Sequence, residues 1–453
     1  MNPVPFAINS YQNRSIPASA QRCFNLYPES IPEGKSQVVL HGTPGLKVFA
    51  DAPHTGQVRG MCLMGGELYA VILDKLYKVS SAGTYTEIGT VRGSDRVYMA
   101  TNGTDLAITT GGIGYVYDGA AFAQITDTDF PTAATCSFIN QRIVFDSEFG
   151  FTYTELDDAT SMAGSVNGTG SPDQAISVLT DHLEVWLFGE TSIEVWYNST
   201  SVSTPFERLQ GAFIERGCAA KYSPAKMDNS VYWLGDDFAV YRAQAYAPVR
   251  ISTPTVEREI QSYHTDDAFG FSYVEEGHSF YVLTFPTSRK TWVYDAATQR
   301  WHERGNFSAG RIRANCYIYA YDRHLVGDFE NGIIYEMDLD TFTDNGETIQ
   351  RIAVSPPIHS GGEDIFMSKL WIDMESGQGL TTGQGSDPQA MLQASDDAGV
   401  TWNNERWVTI GKKGKYRNRA IWRRMGTFFN RVYRLTISDP IKVVIIGAWG
   451  DYG

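Results

Sequence analysis

A short pattern recurs seven times between residues 68 and 338. Each copy is an alternating apolar run, a tight Gly, Asp or Asn turn, and a second run that ends in an aromatic and a polar residue. The second halves read LYKV (76–79), YVYD (115–118), FTYT (151–154), EVWYN (194–198), AVYR (239–242), TWVYD (291–295) and IIYEMD (333–338). The first halves start near Leu68, Leu106, Ile143, Glu184, Val231, Phe280 and His324, so the steps are 38, 37, 41, 47, 49 and 44 residues. A β-hairpin cannot bury both of its faces alone, and stacking such units around an axis is how a propeller buries them. The repeat therefore predicts an all-β chain with a β-propeller of about seven blades. The range is six to eight, because a flanking strand could complete or replace a unit.

Local chemistry agrees with this reading. Aromatics make up 13% of the chain and there are 43 glycines, which favours sheet and turn over helix. Asp74-Lys75 and Gly111-Gly112 are placed as hairpin turns. The long apolar runs EVWLFG and FYVLTF suit strands covered on both faces by neighbouring blades. One helix is expected in PTVEREIQSY, with Thr253 as N-cap, Pro254 in the first turn, and Val256, Ile260 and Tyr263 on one face.

Outside the repeat the chain divides into three. Residues 1–45 carry Pro3, Pro5, Pro17, Pro28, Pro32 and Pro44, too many for helix. They read as an extended arm packing on the C-terminal domain or on a neighbour, closed by a type II turn at Pro44-Gly45. Residues 46–345 are the propeller. Residues 346–453 remain strand-like at a different spacing and read as a small C-terminal β-sandwich-like domain. A Gly/Ser/Thr-rich stretch over 375–388 is expected to be a mobile loop.

The sequence carries few marks of catalytic chemistry. Phosphate-loop, zinc-protease, C-x-x-C and nucleophile-elbow motifs are absent, and the eight histidines are scattered. Five cysteines at 23, 62, 136, 218 and 316 read as reduced, mostly buried thiols. No run of eighteen apolar residues is present, and neither a signal peptide nor membrane insertion is expected. Ser395-Asp396-Asp397-Ala398-Gly399-Val400-Thr401-Trp402 resembles an Asp-box, a hairpin-shaping turn of sialidase-type propellers that stands apart from catalysis. No catalytic residue, cofactor or metal ligand is assigned, and the chain is read as a non-enzyme.

Charge is the uneven feature. Between residues 406 and 438 there are ten cations and no Asp or Glu: Arg406, Lys412, Lys413, Lys415, Arg417, Arg419, Arg423, Arg424, Arg431 and Arg434. Residues 1–405 hold 26 Lys/Arg against 50 Asp/Glu, a balance of −24. The segment reads either as a pair of solvated strands or as a contact surface for a polyanion or an acidic partner. With so acidic a body, an acidic face of a second copy is the more economical partner, and DNA comes second.

Several segments taken in order are similar to one family. They are NLYPE (25–29), HGTPGLKVF (41–49), RGMCLMGGELYAV (59–71), VWLFGETSIEVWYN (185–198), FERLQGAFIERGC (206–218), STPTVEREIQSY (252–263) and IWRRMG (421–426). They resemble the packaged-DNA stabilisation proteins, also called tail hub or tail nozzle, of short-tailed bacteriophages. The resemblance implies a structural virion protein in the tail, assembled in the bacterial host cytoplasm. It implies a homo-hexameric ring below the portal-adaptor that extends the DNA channel and helps retain packaged DNA during head completion. It further implies docking of tailspikes or fibres and of a tail needle or plug, with DNA passing non-specifically through the lumen at ejection. The alternative is a propeller tail component that binds or cleaves host glycan.

Overall fold

The computed structural model describes residues 2–6, 8–51, 54–199, 201 and 204–452. Seven four-stranded antiparallel units surround one axis. The recurring hairpin forms the two middle strands of every blade, from Glu67–Ile72 with Lys75–Val79 in blade one to Arg323–Asp328 with Ile334–Asp338 in blade seven. The innermost strands are Val58–Met64, Tyr98–Thr101, Cys136–Ile139, Ala175–Asp181, Ala225–Met227, Phe269–Glu275 and Ala314–Ala320.

The side-chain period of two explains the long apolar runs. In blade one, Leu68, Ala70 and Ile72 pack with Leu325 and Ile334 of blade seven. Tyr69 and Val71, which point the other way, pack with Leu106, Ile108 and Tyr115 of blade two. Each strand thus buries both faces, and each large side chain so buried contributes about 1.5–3 kcal/mol relative to exposure.

The ring closes through a strand from outside the repeat. Gly45–Ala50 pairs antiparallel with Ile334–Asp338 as the outermost strand of blade seven. A strand borrowed from the N-terminal side holds first and last blades together and covers an edge that would otherwise be open. Here the expected turn is corrected. Gly45 is not among the residues with positive φ, so no type II turn forms at Pro44-Gly45. Glycine is needed for closeness instead, because a Cβ there would lie 2.3 Å from the Thr341 carbonyl oxygen. The first hairpin turn also shifts by one residue, with Leu73 at φ +54 and the third strand already under way at Lys75. Gly111 and Gly112 both take positive φ, as a two-residue hairpin turn requires.

The expected helix spans Pro254–Gln261 between blades five and six, with the Thr253 hydroxyl accepting from the Val256 amide at 3.4 Å. Val256 and Ile260 are buried with Phe285, Trp292 and Trp301, while Thr255 and Arg258 both donate to the Gln12 carbonyl.

Beyond blade seven lies a β-sandwich. One sheet runs Leu26–Ser30, Val38–Gly42, Val444–Tyr452, Ile365–Met374, Ala420–Phe428, with Asn2–Val4 added on Val444–Tyr452. The other runs Ala20–Phe24, Arg351–Val354, Asn430–Ile437, Gln389–Ser395, Arg406–Thr409. Segments from the first forty-two residues therefore enter both sheets, and Cys23, Leu26 and Leu40 share one core with Leu370, Trp422 and Leu435. A parallel bridge from Phe24 to Glu303 joins this sandwich to blade six. Arg22 adds an ion pair to Glu303 across the same seam, with Nη2 at 2.7 Å.

Candidate functional site: the basic edge of the sandwich

The segment with ten cations supplies the two open edges of the sandwich. Arg406–Thr409 ends one sheet and Ala420–Phe428 ends the other. The edges are tied together, since Trp422 Nε1 donates to the Arg406 carbonyl at 2.7 Å and Arg406 donates to the Arg423 carbonyl. Alternation along Ala420–Phe428 turns Ala420, Trp422, Met425 and Phe428 inward and leaves Arg423 and Arg424 exposed. A bulge breaks that alternation: the register shifts between Met367 and Lys369, and Arg424 sits at φ +56. Two adjacent arginines consequently face outward where a regular strand would turn one of them in.

Three of the ten cations are committed within the fold. Arg431 is 7% exposed and holds Asp396 through Nε–Oδ1 at 2.5 Å and Nη2–Oδ2 at 2.9 Å. Its third nitrogen donates to the Met425 carbonyl. Burial works against the charge, yet the Asp396 carboxylate beside it more than offsets this and raises the Arg431 pKa. Arg434 donates to the Gln393 side chain and lies 4.4 Å over the Trp402 ring. Arg406 is half-buried against Met425 and the Arg423 carbonyl.

The other seven are exposed: Lys412, Lys413, Lys415, Arg417 and Arg419 in the connection before the edge strand, then Arg423 and Arg424 on it. Lys412 reaches Asp387 at 3.6 Å, and Arg419 lies 5.0 Å over the Trp371 ring. The remaining five form no ion pair among the described residues. Around them stand exposed aromatic groups: Tyr416 at 72% and Phe429 at 58%, which already alternate with the cations in the sequence, and Trp407 and Phe366 at 60% each, which the sequence alone did not single out. On the sheet face, the Trp371 and Trp449 rings lie tilted at 31° with centroids 5.0 Å apart, and Lys35 lies over both. Strand pairing could have flagged the two tryptophans, because they oppose each other in register.

The Asp-box is a turn. Ser395 Oγ donates to Asp397 Oδ1 at 2.6 Å and accepts from the Gly399 amide at 2.7 Å, while the Thr401 amide donates to Asp397 at 2.8 Å. Hydrogen bonds from Ser395 and Thr401 lower the Asp397 pKa below the usual carboxylate range. Both its oxygens are engaged in shaping the loop, and its neighbour Asp396 anchors Arg431.

Two family models match the chain. One, described as Bacteriophage P22 Gp10, beta-propeller, matches residues 13–342. The other, Bacteriophage P22 Gp10, beta-sandwich, matches residues 350–449. The chain belongs to the phage P22 Gp10 family. The tail hub protein gp10 of Salmonella phage P22 is 22% identical over 406 residues, which span 83% of this chain and 82% of that relative. Among solved structures, the computationally designed Ika8 protein is 13% identical with a TM-score of 0.42, covering 70% of this chain and 99% of its own. BamB from Moraxella catarrhalis is 8% identical with a TM-score of 0.42, covering 69% and 93%. Likeness at these scores supports no functional argument. Within the family, the described residues contain no group of His, Cys, Asp or Glu arranged to hold a metal ion, and no helix long and apolar enough to cross a membrane.

Proposed function

We propose that this chain is a structural component of a phage tail, a hub subunit that assembles with copies of itself into a ring around the DNA path. Family membership and the relative named a tail hub protein support that role. In the proposed ring, six copies stand below the portal-adaptor, hold packaged DNA, and carry the spikes or fibres and the needle. The observation that carries the assembly reading is the placement of charge. Six exposed cations without a carboxylate partner among the described residues lie at one edge of the sandwich, interleaved with exposed aromatics, on a chain whose first 405 residues carry −24. Unpaired cations so close together repel, and an acidic surface of the next copy or of the adaptor relieves that repulsion. An acidic body also suits a conduit wall, since it repels the phosphates of the passing duplex.

The test is charge reversal at Arg423 and Arg424. The doubly substituted chain, R423E/R424E, folds as a monomer with unchanged circular dichroism and fails to enter the tail. Normal virion assembly by that variant sinks the proposal.

A further inference from the structure

One mouth of the propeller axis opens into a cavity of about 1070 Å³. It lies where the innermost strands begin, and residues from six blades line it. On its wall sit two arginines of an unusual kind. Arg311 is 5% exposed, and its guanidinium carbon lies 4.4 Å from the Phe329 ring centroid and 5.5 Å from that of Phe269. Arg96 lies 3.7 Å from the Phe269 centroid. Both donate through Nη2 to the same neutral oxygen, Asn315 Oδ1, at 3.2 Å from Arg96 and 3.3 Å from Arg311. The Asn315 amide is fixed in turn by donating to the Val58 carbonyl at 2.9 Å.

Neither arginine has an ion-pair partner among the described residues. Asp328, Glu330 and Asp267 are engaged elsewhere, and Asp95 and Asp266 on the same wall form no ion pair with either arginine. Arg313 takes Asp328 at 2.6 and 3.0 Å and Glu330 at 3.1 Å. Asp267 accepts from the Thr287 amide and hydroxyl at 2.8 and 2.7 Å through Oδ2 alone; its buried Oδ1 has no hydrogen-bond partner and attracts both arginines without pairing with either. A buried and a half-buried guanidinium side by side, sharing one amide oxygen, are costly to a folded chain unless an anion joins them. That cost is visible in Arg311, whose pKa is pushed down to about 10 by burial and by the adjacent Arg96.

We propose that this mouth is a carboxylate-binding site in which Arg96 and Arg311 grip one carboxylate beside Asn315. A planar, singly charged group matches two guanidiniums held against aromatic rings. Asp95, Asp266, Asp267 and Glu330 line the same cavity beside Lys221, Arg289 and Arg313, a mixed wall that disfavours the dense charge of a phosphate or a duplex more than it does a single carboxylate. The carboxylate comes either from a small free acid or from an acidic side chain on a segment of another protein inserted along the axis. The site is independent of the assembly role proposed above.

The experiment is calorimetric titration of the full chain with glutarate and, separately, with a short end-blocked peptide containing glutamates. Binding of either probe is expected, and which one binds more tightly identifies the source. R311Q and R96Q should each weaken binding on the order of tenfold or more, as expected when a charged hydrogen bond is lost. N315D supplies a carboxylate from within; it should abolish binding of both probes while melting no lower than the parent. Near-ultraviolet circular dichroism checks that each variant is folded. The proposal is overturned if neither probe binds, if folded R311Q or N315D binds as the parent does, or if inorganic phosphate or a duplex oligonucleotide binds more tightly than either.

Discussion

Replacing Arg431 by methionine separates the cations that build the sandwich from those that face outward. The change keeps the aliphatic stem over Phe428, whose ring centroid lies 4.2 Å from the guanidinium, and removes three donors. The Asp396 side chain is 60% exposed, so it rehydrates once released and the lost pair costs toward the low end of a charged hydrogen bond, about 1.5 kcal/mol. The Met425 carbonyl loses its Arg431 donor in a site where that nitrogen's bond is buried, which adds about 1–2 kcal/mol. Together R431M should destabilise the sandwich by about 2–4 kcal/mol. Urea unfolding followed by tryptophan fluorescence reads this directly, because Trp422 is 2% exposed in the same core. D396N should lose less, since it keeps the Met425 contact, and R423E/R424E should stay within about 0.5 kcal/mol of the parent. If R431M unfolds with the parent, or R423E/R424E unfolds as early as R431M, the division of the basic segment into structural and presenting cations is wrong.

Other outcomes follow from closure and from buried charge. Gly45→Val drives a side chain into the Thr341 carbonyl and should open the blade-seven seam, seen as faster proteolysis between residues 42 and 58; unchanged cleavage contradicts the closure role. Glu275 is held above its ordinary value, up to about 7, by burial, and its Oε2 lacks a hydrogen-bond partner. Its folded pKa is raised, so the carboxyl is neutral in both states at low pH, and a penalty develops as pH rises from about 4.5 to about 7. E275Q should therefore gain about 2–3 kcal/mol at pH 8 and almost nothing at pH 4, by urea titration; equal effects at both pH values refute the assignment. A chain beginning at Thr43 keeps Gly45–Ala50 but loses strands from both sandwich sheets. Its propeller should stay folded while the Trp422 signal becomes solvent-like; a native sandwich signal would show that the N-terminal strands are dispensable.

How much of this was legible in the chain depends on the range of the interaction. The blades were readable because each hairpin is local and the alternation serves two neighbours at once, as Leu68 and Tyr69 show by packing on opposite blades. The Thr253 cap and the Asp-box were readable for the same reason, their hydrogen bonds closing within a few residues. The N-terminal strands carry no such local mark. Asn2–Val4 pairs with residues near 450, and Arg22 with Val354, so their places depend on partners hundreds of residues away. Pro44-Gly45 misled because the pair suits a turn, whereas the fold uses that glycine for the approach of Thr341. Within the basic segment nothing local distinguishes Arg431 from Arg424; the distinction comes from Asp396, brought opposite by pairing of Gln389–Ser395 with Asn430–Ile437. Arg96 and Arg311 were invisible because they converge from blades two and seven.

The claim that most needs testing is that the exposed basic edge is an assembly contact. An image of the assembled tail at side-chain resolution decides it. The account predicts acidic residues of an adjacent subunit or of the adaptor within about 4 Å of Arg423 and Arg424, the reach of an ion pair. Finding both arginines facing open solvent, or lining the lumen against DNA, would contradict it.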